Sequence, residues 1–188
     1  MKYLIASDIH GSAYYCKLLA ECFGNSGAEK LLLLGDLLYH GARNPLPRDY
    51  NTLQCAEILN ELKTSIVCVK GNCDSEVDQM VLDFPVRADF FLFELGGRAA
   101  IATHGHNPPA LPNQRDLLFN GHFHVPAFEQ REDCLYVNCG SVSIPKENSP
   151  HSCILAEGDT LAWIDLETGK IFRKENIAPE FVRNGILQ

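Results

Sequence analysis

Five short polar motifs recur along the chain, and each contains residues that bind metal ions in hydrolases. They are Asp8-Ile9-His10, Gly35-Asp36, Gly71-Asn72-Cys73-Asp74, His104-Gly105-His106 and Gly121-His122-Phe123-His124. Four of the five follow an apolar, β-prone run, which predicts a position at the carboxyl end of a strand, where open α/β sheets bind ligands. Carboxylates, imidazoles and an amide in this combination predict a two-metal hydrolase, in which two cations clamp a phosphoryl group and activate water.

Three of the motifs also have a simpler structural explanation. Asp8 or Ser12 could cap the helix that follows, and Gly35-Asp36 could form a turn. The segment from Gly71 to Asp74 is likewise rich in turn residues. The two His-x-His pairs are harder to explain as core packing, because a buried imidazole needs a specific partner. The conjunction of all five motifs favours metal binding.

The first half of the chain alternates strand and helix patterns. Strands are predicted at Tyr3 to Ala6, Lys30 to Leu34 and Ile66 to Val69, and amphipathic helices at Tyr14 to Phe23 and Tyr50 to Leu62. This βαβαβ order predicts a parallel sheet covered by helices.

The second half predicts short strands joined by tight turns. The first two, Phe90 to Leu95 and Ala99 to Thr103, flank the hairpin signal Gly96-Gly97, and six further short strands follow up to residue 173. We expect the strands of this half to build a second sheet that packs on the first. The predicted fold class is therefore α/β, a four-layer α-β-β-α sandwich of two mixed sheets with flanking helices, in a single domain of residues 1–188 with a C-terminal tail at 178–188.

Composition narrows the function classes. The 188 residues are 46% hydrophobic, enough for a proper core, and the net charge of −8 disfavours a long nucleic acid as partner. No apolar run approaches the length of a membrane span. Several of the eight cysteines lie within apolar periodic segments, and no Cys-x-x-Cys pair occurs. Because the start Met-Lys-Tyr-Leu-Ile passes directly into the first motif, we expect no signal peptide. We expect reduced thiols in a cytoplasmic protein.

The ordered motifs resemble the calcineurin-like metallophosphoesterase superfamily, over residues 1 to about 175. Segments 6–12, 71–80 and 140–146 are similar to its small bacterial YfcE-like phosphodiesterases. The resemblance implies a phosphoric ester hydrolase that cleaves small or nucleotide-like phosphodiesters by a hydroxide that two metals activate. It also implies two divalent ions, with manganese first and iron, zinc or nickel as alternatives, and relatives that commonly self-associate suggest a homo-oligomer.

The resemblance assigns a ligand set for each ion, with Asp36 shared. The first set is Asp8, His10, Asp36 and His124, and the second is Asp36, Asn72, His104 and His122. Asn72, Cys73, Asp74, His106 and Arg43 are the candidates for catalytic roles. Arg43 could bind a phosphate oxygen or be solvated, and His106 could contact a phosphate oxygen or support a ligand.

Cys73 departs from the wider superfamily, which has a histidine beside the ligating asparagine. A thiol is a poorer general acid than an imidazolium and carries no positive charge, so protonation of the leaving group by this residue is weakened. The YfcE-like subgroup shares the cysteine. The departure therefore suggests a preference for good leaving groups.

Three functions remain open at this point. The first is a phosphodiesterase, and the second is a non-catalytic protein-binding scaffold of the Vps29 type, which uses the same fold. The third is a phosphomonoesterase or phosphoprotein phosphatase. All seven predicted ligand positions hold competent side chains, which favours an enzyme.

Two Pro-containing loops, Tyr39 to Asp49 and Asn107 to Gln114, follow metal motifs and are expected to form the substrate rim.

Overall fold

The computed structural model describes residues 1–107, 116–132 and 134–178. Two α-helices, α1 (Ala13–Ser26) and α2 (Thr52–Glu61), and a short 3₁₀ helix at Glu76–Met80 accompany eleven strands. The strands are β1 (Tyr3–Ala6), β2 (Lys30–Leu33), β3 (Ile66–Cys68), β4 (Phe90–Leu95), β5 (Arg98–Thr103), β6 (Leu117–Asn120), β7 (Pro126–Gln130), β8 (Leu135–Cys139), β9 (Ser152–Glu157), β10 (Thr160–Asp165) and β11 (Ile171–Asn176).

The strands form two mixed sheets. The six-stranded sheet has the order β11-β10-β9-β1-β2-β3, and the five-stranded sheet has the order β4-β5-β6-β8-β7. Strands β1, β2 and β3 are parallel, as are β5, β6 and β8. The predicted α/β fold of two mixed sheets with flanking helices is thus confirmed.

One part of the predicted topology is wrong. The strands of the second half were expected to build the second sheet, but β9, β10 and β11 join the first, with β9 antiparallel to β1. Strand β1 is buried along its whole length, so it needs a neighbour on each side, and β2 supplies only one. Pairing between residues some 150 positions apart leaves no mark on local periodicity.

Alternate residues of β1 face opposite layers of the molecule. Leu4 and Ala6 pack against the helices, which both lie on the outer face of the six-stranded sheet. Tyr3 and Ile5 face the five-stranded sheet in a second core that also contains Trp163. The Trp163 indole N–H donates to the carbonyl of Asn138 at 2.9 Å, which ties the two sheets together.

The start of α1 explains why Asp8 is available for other contacts. The Ser12 side chain accepts a hydrogen bond from the Tyr15 N–H, so Ser12 caps the helix and Asp8 does not. Among the described helices, none is both long and apolar enough to cross a membrane.

Candidate metal centre

The strand ends bring all five motifs to one edge of the molecule. Asp8 and His10 follow β1, Asp36 follows β2 and Asn72 follows β3. His104 follows β5, and His122 and His124 follow β6 in the other sheet. The carboxyl ends of parallel strands share an edge, so the two sheets contribute ligands to one place from opposite sides.

The first group of side chains surrounds Asp8. Its Oδ1 lies 3.4 Å from His10 Nε2 and 3.2 Å from His124 Nε2, and these two nitrogens are 3.4 Å apart. All three residues are buried. Three ligand atoms at such mutual distances form a group that can hold one cation.

The second group surrounds His104. Its Nε2 lies 2.9 Å from Asn72 Oδ1 and 3.3 Å from His122 Nδ1. Asp36 lies between the two groups, because its Oδ2 is 3.4 Å from His104 Nε2 and 3.8 Å from His10 Nε2. One carboxylate is therefore within reach of two neighbouring cation positions.

The histidine tautomers favour metal binding. The Nδ1 atoms of His10, His104 and His124 contact the backbone carbonyls of Tyr39, Leu34 and Ile144 at 2.6–2.7 Å. A carbonyl can only accept, so each Nδ1 carries a proton and donates it. In a neutral imidazole the Nε2 lone pair then points into the group, which is the usual orientation of a metal-ligating histidine.

Asp8 provides an independent test of whether the residues fit a cation. Its Oδ1 is fully buried, and its neighbours His10 Nε2 and His124 Nε2 donate no hydrogen bond to it when these imidazoles are neutral and protonated on Nδ1. A buried charged oxygen without a donor is costly. When the imidazoles are neutral, their Nε2 atoms and the carboxylates that converge here all offer lone pairs, so these side chains fit divalent cations.

The charges of the centre influence one another strongly. Burial opposes ionisation of Asp8, but His10, His124 and His104 outweigh it and hold the pKa of Asp8 far below its ordinary value. Burial would lower the pKa of His104, yet the hydrogen bond with Asp36 and the charges of Asp8 and Asp36 raise it to about 9. The negative potential that retains the proton of His104 would also attract a cation, so a bound cation would displace that proton.

Five of the seven predicted ligands adopt a left-handed backbone conformation. The φ angles lie between 48° and 64° for Asp8, His10, Asp36, His122 and His124. Such angles cost a non-glycine residue about 1–2 kcal/mol, and they concentrate at functional sites where the surrounding structure enforces them. Hydrogen bonds from Ser141 Oγ (3.0 Å), Ser143 Oγ (3.2 Å) and Ser143 N–H (3.2 Å) to the Asp8 carbonyl supply part of that enforcement.

Glycines let neighbouring backbone approach the ligands closely. A Cβ on Gly71 would overlap the backbone nitrogen and carboxylate of Asp36, and a Cβ on Gly121 would lie 2.7 Å from Asp8 Oδ2. Neither glycine has a positive φ, so it is the close approach that requires glycine here.

Asp74 lies behind the ligands and is buried. Its carboxylate accepts the backbone N–H groups of Asp36, Leu37 and Gly71 at 2.7–2.8 Å. It thus joins the loop after β2 to the loop after β3. This arrangement supports a positioning role for Asp74 in place of direct contact with substrate.

Cys73 is half-buried beside Asp36. Its backbone N–H donates to Asp36 Oδ1 at 2.8 Å, and its Sγ belongs to a potential ligand group with His10 and Asp36. Burial, with the charge and hydrogen bonding of Asp36, raises the pKa of the thiol to about 12. A thiol with such a pKa is protonated at neutral pH and is a weak nucleophile.

A cavity of about 470 Å³ opens over the centre. Arg43 lines it together with Gly41, Ala42 and Asn44 of the first rim loop. His106 is exposed, with its ring 5.5 Å from the His104 ring, and does not line this cavity. Residues 108–114 of the second predicted rim loop and residues 179–188 of the tail lie outside the described residues.

Sequence reasoning gave no role to two residues that line the cavity, Phe123 and Lys146. Phe123 lies inside a metal motif, between His122 and His124, and Lys146 ends the Gly-Ser-x-Ser segment at residues 140–146. Their positions in these segments were the only signals available from the sequence.

Comparison with known proteins shows the family of the chain. Residues 1–160 match the model of the calcineurin-like phosphoesterase superfamily domain. The chain is 45% identical to phosphodiesterase YfcE of Escherichia coli K12 over 184 residues, which are 95% of this chain and 100% of YfcE. A probable metallophosphoesterase of Methanothermobacter thermautotrophicus is 28% identical over 130 residues, covering 62% of this chain and 72% of that protein.

One solved structure supports the same family, and a more distant one shares the fold. The structure of YfcE, a phosphoesterase from E. coli, aligns with a TM-score of 0.87 at 43% identity, covering 94% of this chain and 100% of YfcE. A Vps29 mutant of Entamoeba histolytica aligns with a TM-score of 0.59 at 20% identity, covering 93% of this chain and 97% of that one, and shares the fold. The chain described here therefore belongs to the calcineurin-like phosphoesterase superfamily, in which it is a YfcE-like phosphoric ester hydrolase.

Proposed function

We propose that the chain is a metal-dependent phosphodiesterase that hydrolyses small or nucleotide-like phosphodiesters at a centre of two divalent cations. The observation that carries this proposal is the position of Asp36 Oδ2, within 3.8 Å of His10 Nε2 in one ligand group and 3.4 Å of His104 Nε2 in the other. A carboxylate shared by the two ligand groups can bind two neighbouring metal cations at once.

The first ion would be held by Asp8, His10, Asp36 and His124, and the second by Asp36, Asn72, His104 and His122. Two divalent cations, with manganese first and iron, zinc or nickel as alternatives, would supply Lewis acidity at the phosphoryl oxygens and lower the pKa of a water molecule. The protein's part is to fix these side chains in advance, through the imidazole bonds to carbonyls and the carboxylate of Asp74.

The residue at position 73 supports a diester over a monoester. A phosphodiester carries one negative charge, whereas a monoester dianion carries two and gains more from a cationic neighbour. Cys73 lies next to Asn72 at the cavity wall and offers a neutral thiol where an imidazolium would add a positive charge. We therefore expect the site to favour the substrate with the smaller charge.

A matched pair of aryl esters tests this function. Initial rates with p-nitrophenyl phosphate and bis(p-nitrophenyl) phosphate would be compared after loading with manganese, iron, zinc or nickel, and again in EDTA. We expect faster hydrolysis of the diester and loss of activity in EDTA. A preference for the monoester would redirect the function to a phosphomonoesterase, and full turnover in EDTA would contradict metal dependence.

The environment of the enzyme forms a further part of this proposal. All eight cysteines are free thiols, and six of them are buried. Thiols in this number suit a reducing compartment, so we place the activity in the cytoplasm. We also propose a homo-oligomer, which size-exclusion chromatography with light scattering would test.

A further inference from the structure

Phe123 occupies an unusual position for a large apolar side chain. It is 51% exposed, it lines the cavity over the metal centre, and its ring meets the His122 ring edge to face at 5.1 Å. Exposed apolar residues are common on protein surfaces, but this one is on the wall of the site where substrate must bind.

The backbone that carries Phe123 is held by its neighbours, and the ring contacts the His122 ring. His122 and His124 on either side have φ angles of 64° and 63°, and the Phe123 N–H donates to the Gly121 carbonyl at 2.7 Å. The His124 ring is itself bonded to the carbonyl of Ile144. A phenylalanine side chain has only two χ angles, so ordering this ring against a planar group costs less conformational entropy than ordering a long flexible side chain.

Two cationic side chains line the same cavity. Arg43 comes from the loop after β2 and Lys146 from the loop between β8 and β9. Both are exposed, and within the described residues neither forms an ion pair with a carboxylate. Positive charges on this wall contrast with the net charge of −8 for the whole chain. They suit a ligand that carries anionic charge beyond the reacting phosphate.

We propose that this cavity selects nucleotide diesters that carry a second phosphate, with the base stacked on Phe123 and the additional phosphate bound by Arg43 and Lys146. This inference rests on the proposed phosphodiesterase function and specifies its substrate. Stacking is tolerant of base identity, because every base has a π face. Discrimination among the four bases is therefore expected to be weak.

Three substrates that share one leaving group separate the contribution of the base from that of the additional phosphate. They are methyl p-nitrophenyl phosphate, thymidine 5′-(p-nitrophenyl phosphate) and the same thymidine ester with a 3′-phosphate. In the manganese-loaded wild type we expect kcat/KM to rise at each step, by about fivefold to a hundredfold for the base. Phe123→Leu should remove the gain from the base, and Phe123→Trp should retain it.

The increase in kcat/KM that the 3′-phosphate produces is expected to depend on the positive charges of Arg43 and Lys146. Arg43→Met and Lys146→Met should each reduce the gain from the 3′-phosphate, and high salt should reduce it in the wild type. Matched controls are Phe172→Leu and Lys170→Met, which change an exposed phenylalanine and an exposed lysine that do not line the cavity. Neither control should alter the ratios between substrates.

Binding distinguishes failure of this inference from failure of the proposed function. Calorimetric titration with thymidine 3′,5′-bisphosphate requires no turnover, and Phe123→Leu should weaken its binding while leaving the affinity for inorganic phosphate within about twofold. Equal loss for both ligands would mean that Phe123 only supports the metal centre. Unchanged substrate ratios and bisphosphate affinity in Phe123→Leu would overturn the inference, even if the enzyme proves to be an efficient diesterase.

Discussion

The carboxylate of Asp74 provides the sharpest test of how the ligand loops are held. It is 5% exposed and accepts three backbone N–H groups, from Asp36 and Leu37 at 2.8 Å and from Gly71 at 2.7 Å. Within the described residues, Asp74→Ala removes the acceptor of all three donors and breaks the connection between the loop after β2 and the loop after β3. We expect loss of stability even when no metal is bound.

The magnitude follows from the three donors. A buried N–H left without an acceptor costs about 1–3 kcal/mol, and a charged acceptor is worth somewhat more than a neutral one. Burial of the carboxylate is itself unfavourable, and water can enter the space left by the side chain, so the sum is reduced. We expect Asp74→Ala to lower the free energy of unfolding by about 3–5 kcal/mol. Asp74→Asn keeps one acceptor oxygen and should lower it by about 1–3 kcal/mol.

Urea denaturation in EDTA measures this effect without a contribution from metal binding. The single tryptophan, Trp163, is fully buried and reports unfolding by its fluorescence. With a slope of about 2 kcal/mol/M, the midpoint of Asp74→Ala should fall by about 1.5–2.5 M. Asp83→Ala is the matched control, because it removes a carboxylate from an exposed ion pair with Lys63 and should cost less than about 1 kcal/mol.

A small effect would refute this reasoning. If Asp74→Ala unfolds within about 1 kcal/mol of the wild type in EDTA, the three hydrogen bonds do not stabilise the loops. If Asp74→Ala is as stable as the wild type but inactive with metals bound, Asp74 takes part in the reaction itself. That result would support the catalytic role that the sequence predicts for Asp74.

Three further predictions concern the metal centre. Asp36→Asn should reduce bound manganese from two ions per chain to one or none, because the shared carboxylate serves both ligand groups. Metal analysis after reconstitution measures this, and a single bound ion in the wild type would contradict the prediction. Gly71→Ala should lower metal content and activity, since its Cβ would overlap Asp36, whereas Gly24→Ala in α1, with no atom within 4 Å of the added Cβ, should leave both unchanged. Cys73→Ala should change the rate with a nitrophenyl diester by less than about tenfold, roughly 1.4 kcal/mol of barrier, and Cys73→His should accelerate poor leaving groups more than good ones. Near-complete loss of turnover in Cys73→Ala with both metals bound would show that the thiol is essential.

The sequence by itself determined the family, the strand ends and the candidate ligands. The spacing in Asp8-x-His10 and the apolar runs before it are local features, and local features fix secondary structure and the edge of the sheet at which the polar residues emerge. The strands of the first half were predicted within one or two residues for the same reason, and the family resemblance followed from the order of the motifs.

Tertiary structure decided what depends on residues far apart in sequence. β9 pairs with β1 across some 150 positions, and Asp36 approaches His10 and His104 only because both sheets end at one edge. The contacts of Asp74 and the exposure of Phe123 to the cavity likewise depend on loops from different strands. No periodicity encodes such contacts, because they arise from the packing of two sheets and from left-handed backbone angles that the surrounding structure enforces.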